Sequence, residues 1–211
     1  MIKGISKNLA KWMGNQLASR EDELEVYAYG LEIILGGIFK IGLLLLIASQ
    51  LNILSTTVLC TLGFVGIRFF GGGVHLCTYP RCLAGSLTIL LILGKIAAFN
   101  LSVDFLFIFI FATLCLGVYS IIKLVPAGTH KKTVTDKKLR TKQKIKTSII
   151  FIIYLVIILI FMRYQLVSWA FSVVFGVLAS FFLITPLGYF FLQSIDNLLD
   201  LLRQKQGTRF G

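Results

Sequence analysis

Acidic residues are scarce in this chain: nine Asp and Glu stand against 21 Lys and Arg, for a formal net charge of +12. A surplus of that sign often marks a nucleic-acid surface, but only 14% of the residues are charged, 57% are hydrophobic and the mean hydropathy is +0.88. That balance excludes an ordinary soluble domain. It describes a polytopic membrane protein whose basic residues, lying between apolar runs, follow the bias of cytoplasmic loops toward anionic lipid, so no nucleic acid is expected as a partner. Cysteine is also sparse. The four residues at 60, 77, 82 and 115 do not form a disulfide framework, and Cys60 and Cys115 fall inside apolar runs where small buried residues are expected. There is no His-Glu-x-x-His, no Gly-x-Ser-x-Gly and no pair of aspartates within apolar runs, so three intramembrane protease chemistries lack their parts. The N-terminal stretch lacks the short basic head and compact apolar core of a cleavable signal, and the first span is expected to be its own insertion signal.

What is abundant is apolar sequence long enough to enter a bilayer. Runs at residues 31–49, 53–70, 83–99, 105–125, 148–162 and 167–186 predict an all-α, polytopic integral membrane protein of about six transmembrane helices forming a single membrane domain. Before them, residues 1–30 place Ile5, Leu9, Trp12, Met13, Leu17, Leu24 and Tyr27 at helical spacing with lysines between, as in a helix lying on a membrane surface. Gly36, Gly37 and Gly42 in the first span would let another backbone come close, and Lys40 must face protein or water. Lys95 is placed to reach toward an interface. Arg163 punctuates the last two spans, with a single bent or re-entrant helix pair as the competing parse. The connections are residues 71–82, the basic loop 126–147 and the tail 187–211, which opens on an amphipathic segment from Tyr189 to Leu202.

Six spans put both termini, residues 71–82 and the basic loop on one side of the membrane. Eighteen of the 21 basic residues fall there, Arg163 lies opposite, and Lys40 and Lys95 are within spans. The positive-inside rule makes that side cytoplasmic.

Reactive side chains concentrate in one polar, glycine-broken stretch from Arg68 to Cys82, which holds His75, Cys77, Cys82, Arg81, three consecutive glycines and Pro80. On a continuous helix, His75 and Cys82 would stand about 10 Å apart along the axis, too far for proton transfer. The glycines and the proline favour a loop or broken helix, in which the imidazole would come within reach of the sulfur, take its proton and leave a thiolate to attack a carbonyl. The same glycines would offer backbone N–H groups to a developing oxyanion. Competing readings are a simple cytoplasmic connection, Cys77 as the nucleophile, and a zinc site from His75, Cys77 and Cys82. That last spacing fits no common structural zinc pattern and has no evident fourth ligand, so no metal or cofactor is expected. His130 reads as an ordinary loop residue.

Arg68, Gly73, His75 and Cys82, between a second and third span in a six-span chain of this length, resemble the signature of the AgrB family, the membrane cysteine endopeptidases of Gram-positive peptide quorum sensing. The opening of the basic loop, from Val125 through Pro126, Ala127, Gly128, Thr129 and His130 to Lys131 and Lys132, is similar to a second family segment after the fourth span. Gly71, Gly72, Gly73 and Val74 depart from the family's usual wording around the glycine. The resemblance implies that Cys82 is the nucleophile and His75 its base, with Arg68 and Gly73 supporting the loop geometry. The reaction it implies cuts the acidic C-terminal tail from an AgrD-like pro-peptide through a thioester on Cys82 and closes the remainder into a thiolactone. Lys131, Lys132 and Arg81 are then candidates to hold the acidic tail, with membrane lipids and a second copy of the chain as further candidate partners. A small transporter or exporter is the alternative, motivated by Lys40 and Lys95, and a lipid-binding scaffold is another.

Overall fold

The computed structural model describes residues 2–17, 21–73, 78–99, 101–127 and 137–207. Their regular structure is helical: α1 (Ile2–Leu17), α2 (Glu21–Gln50), α3 (Leu54–Gly71), α4 (Tyr79–Ala98), α5 (Val103–Lys123), α6 (Lys137–Arg163), α7 (Val167–Ile184) and α8 (Pro186–Gly207). Six helices among the described residues, α2 to α7, are long and apolar enough to cross a bilayer. The all-α, six-span architecture read from hydropathy is therefore the one that forms.

The chain divides into two compact units, Met1–Gln50 and Leu51–Gly211. In the first, α1 packs on α2. The amphipathic spacing seen between Ile2 and Tyr29 belongs to two helices, since α2 already begins at Glu21. The buried face of α1 is built of small residues: Ser6 and Ala10 are each 1% exposed, and a Cβ added at Gly14 would meet Leu24. Ile5, Leu9 and Trp12 turn outward instead, the arrangement that suits insertion of bulky side chains among lipid headgroups.

In the second unit α7 is central, packing against α3, α4, α5, α6 and α8. It meets α3 most extensively, and the contact is nearly backbone on backbone. A Cβ at Gly176 would lie 2.1 Å from the Cys60 carbonyl oxygen, and one at Gly63 would lie 3.0 Å from that of Val173. Small residues at such crossings replace the hydrophobic drive that lipid cannot supply with van der Waals contact. Phenylalanines fill the remaining space. Phe109 of α5 meets Phe175 edge-on at 5.0 Å between centroids, and Phe151 of α6 meets Phe181 at 5.1 Å. Hydroxyls in these apolar surroundings donate back to their own helices, Thr113 to the Phe109 carbonyl at 2.7 Å and Ser172 to that of Ser168 at 2.7 Å.

Two junctions fix the order of the last helices. α6 ends in a Schellman turn, with Leu166 N–H donating to Phe161 O at 2.8 Å, Gln165 N–H to Met162 O at 3.1 Å, and Gln165 at φ 56°. The apolar residues around Arg163 thus form two separate helices joined by a tight turn, not one bent helix. Thr185 then caps α8: its Oγ1 accepts from Gly188 N–H at 3.2 Å, and Pro186 occupies the first helical position, where its missing N–H costs nothing. Cys115 differs from expectation. It is exposed on α5, because α5 buries Leu106, Thr113, Gly117 and Ser120 and turns the face bearing Cys115 outward.

Candidate active site

The site is organised by the end of α3. Gly72 N–H donates to Arg68 O at 3.1 Å as the helix closes, and the backbone then turns into conformations that side chains resist, φ 77° at Gly72 and 132° at Gly73. Across from this turn runs the chain leaving α5. Ala127 N–H donates to Gly71 O at 2.9 Å, Gly73 N–H donates to Ala127 O at 3.2 Å, and Gly72 and Ala127 form an isolated parallel bridge. The approach is close enough that a Cβ on Gly72 would stand 2.4 Å from Ala127 O. Two stretches that the sequence marks separately, the glycine triplet and the Val125-Pro126-Ala127 opening of the basic loop, are thereby paired. Val125 is fully buried beneath them.

Arg68, in the last turn of α3, lays its guanidinium against Gly73. A Cβ there would be 3.0 Å from Nη1 and 3.2 Å from Cζ. The same group lies over the Phe64 ring at 5.6 Å. It also interacts electrostatically with Cys82 and with Tyr189 of α8. Burial pushes the Tyr189 phenol above its ordinary value while Arg68 pulls it the other way, so it is neutral near pH 7.

Cys82 lies in the first turn of α4 and is partly accessible, with its N–H donating to Thr78 O at 3.0 Å. Thr78 makes no side-chain cap, and Pro80 lies within that turn. One turn further on, Ser86 donates to Cys82 O at 2.6 Å. The helix thus starts earlier than the run at residues 83–99 suggests, and the cysteine is carried on a rigid element.

Arg81, beside Cys82, is engaged within the chain. Its Nη1 bonds Asp196 Oδ1 at 3.2 Å and the Asp196 carbonyl at 3.5 Å, and its Nη2 pairs with Asp200. Asp196 and Asp200 stand one turn apart on α8 and were not singled out by sequence reasoning. Their signal was there, two acids at i and i+4 in an otherwise apolar and basic tail segment. Two lysines of α6 meet the ends of α5 and α3: Lys144 donates to Ile122 O at 2.6 Å, and Lys146 lies over Phe70 at 5.4 Å.

Of the residues nominated from sequence, the structure brings Arg68, Gly73 and Cys82 together and puts Arg81 next to them on α4. His75, Cys77, His130, Lys131 and Lys132 lie outside the described residues. Among the described residues no group of three or more His, Cys, Asp or Glu stands close enough to hold a metal.

A polytopic helical membrane protein with a cysteine on the first turn of a span, beside an arginine seated on a glycine turn, is the class these features define. The family model of accessory gene regulator B matches residues 6–191, and the chain belongs to that family. It is 28% identical over 155 residues to accessory gene regulator protein B of Staphylococcus intermedius, covering 73% of this chain and 79% of that one. It is 24% identical over 213 residues to an AgrB-like protein 2 of Clostridium perfringens, covering 96% of this chain and 100% of that one. No solved structure matches. Membership gives the chain a role in accessory gene regulator quorum sensing, as a multi-pass membrane protein.

Proposed function

We propose that the protein is a cysteine endopeptidase and peptide cyclase acting on an AgrD-like pro-peptide. The observation that carries this reading is the convergence of Arg68, Gly73 and Cys82, three of the four residues on which the family resemblance rests, at the joined ends of α3 and α4. His75, on the short connection between those helices, takes the Cys82 proton. The thiolate attacks the carbonyl before the tail, the tail leaves with a new amino terminus, and the acyl group remains on sulfur. An internal cysteine of the peptide then captures that acyl group, exchanging one thioester for another, the thiolactone. This exchange is nearly balanced, whereas closure from a serine ester would be uphill. The first step, amide to thioester, is unfavourable and is drawn forward by removal of the released tail. Arg68, held by Gly73 and Phe64, sets a fixed positive charge beside the reacting sulfur and the oxyanion that forms there.

The basic loop leaves from Ala127, beside the glycine turn, and Lys131 and Lys132 follow within five residues; they hold the acidic tail of the peptide electrostatically. The side bearing Arg68, Arg81, Lys123, Lys144 and Lys146 faces the cytoplasm by the positive-inside rule. Reconstitution with an AgrD-like peptide tests the reading. Wild type should form a thioester adduct and a ring product, Cys82→Ala and His75→Ala should form neither, and Cys77→Ala should retain both. An adduct that survives Cys82→Ala and disappears with Cys77→Ala would move the chemistry to the other thiol. Charge reversal at Lys131 and Lys132 should raise KM much more than it lowers kcat.

A further inference from the structure

Arg81 is the charged neighbour of Cys82, yet in the resting chain its guanidinium is already occupied by two carboxylates from α8. The two are not equivalent. The Asp196 side chain is 11% exposed and the Asp200 side chain 59%, against 16% for Arg81. Asp196 continues the buried face of α8 formed by Gly188 and Leu192, while Asp200 lies at its open edge. While Asp200 holds Nη2, a peptide carboxylate has no donor left to it at the outer edge of Arg81; once Asp200 has left, Nη2 is open to it.

Resting on the function proposed above, we infer that Asp196 and Asp200 are an acidic latch that imitates the substrate's tail. Asp196 anchors α8 to the first turn of α4, and Asp200 occupies the position at Nη2 that a carboxylate of the arriving peptide takes over. Partly exposed ion pairs are weak and exchange readily, so the substitution needs no refolding. The exposed Leu187, Phe190, Phe191 and Leu198 keep α8 on the apolar surface while Asp200 swings away. Selection follows from this arrangement: a tail without carboxylates cannot replace Asp200, and Arg81 stays closed to it.

The test uses the full chain in uncharged phosphatidylcholine nanodiscs, with two peptides that differ only in whether the tail carries Asp and Glu or Asn and Gln. Asp200→Asn should lower KM for the acidic peptide about two- to fivefold, the size expected of one exposed ion pair. It should leave kcat and the KM for the neutral peptide unchanged, and Asp200→Glu should return KM to the wild-type value. A parallel measurement needs no turnover: the acidic tail peptide alone, followed by fluorescence anisotropy, should bind Cys82→Ala protein more weakly than protein carrying both Cys82→Ala and Asp200→Asn. Equal affinities, or a KM that rises in Asp200→Asn, overturn the latch. Absence of cleavage by wild type counts against the proposed reaction and leaves the anisotropy comparison to decide the latch.

Discussion

Gly176 and Gly73 both resist a Cβ, and for different reasons. Gly176, in the middle of α7, is pressed against the Cys60 carbonyl, inside a crossing that holds the second unit together. Gly73, past the end of α3, is pressed against the guanidinium of Arg68, at φ 132°. The first protects packing between backbones and the second protects the place of a charge. If the proposed function holds, stability and chemistry depend on the same residue type about a hundred positions apart, and substitution should separate them.

The largest effect is expected at the crossing. Gly176→Leu drives four extra carbons into backbone that cannot withdraw, and overpacking of this kind costs about 1–3 kcal/mol or more. The expected outcome is loss of monodisperse protein on gel filtration, whatever happens to activity. Cys82→Ala should be the opposite extreme, with cleavage reduced by about a thousandfold or more and an unchanged Tm. Gly73→Ala lies between them. By moving Arg68 it should reduce kcat about 10- to 100-fold, as small misplacements of a positioning group do, while Tm falls modestly. If Gly73→Ala loses Tm and activity in the proportion shown by a milder α7 variant such as Gly176→Ala, the distinction between the two glycines collapses. A smaller effect belongs to Tyr154→Phe, which removes the hydroxyl that donates to Leu62 O at 2.6 Å. A stability loss of about 1 kcal/mol is expected, read as a shift in Tm with kcat intact.

The smallest effect concerns pH. Folding raises the pKa of Tyr189, so its contribution is fully present below the ordinary phenol value of about 10 and is lost as pH climbs through the folded value. Tyr189→Phe should therefore flatten the decline of thermal stability in alkali, so that the Tm difference from wild type shifts in favour of the variant as pH climbs above about 10.

Hydropathy made the number of spans legible, because length and apolarity are what a bilayer demands. It said nothing of which span lies at the centre. α5 and α7 are comparably apolar, yet 22% of the apolar stretch of the first and 67% of that of the second are buried in protein. Lipid and protein interior are both apolar, and both helices carry small residues among phenylalanines, Thr113, Gly117 and Ser120 in α5 and Ser172, Gly176 and Ser180 in α7, so composition does not tell them apart. Cys115 was misread for the same reason. At the site, residue types alone drew attention to Arg68, Gly73 and Cys82, but their mutual positions depend on φ values and on a bridge to Ala127 that no spacing encodes. The engagement of Arg81 by α8 was also out of reach, since it joins residues 115 and 119 positions apart.

The pairing of Ala127 with the glycine turn carries a mechanical corollary. Whatever grips the lysine-rich stretch beyond residue 127 pulls on a chain moored, through two hydrogen bonds, to the shelf on which Arg68 rests. On the proposed function, peptide held there would be felt at Arg68, the neighbour of Cys82, without any helix having to move.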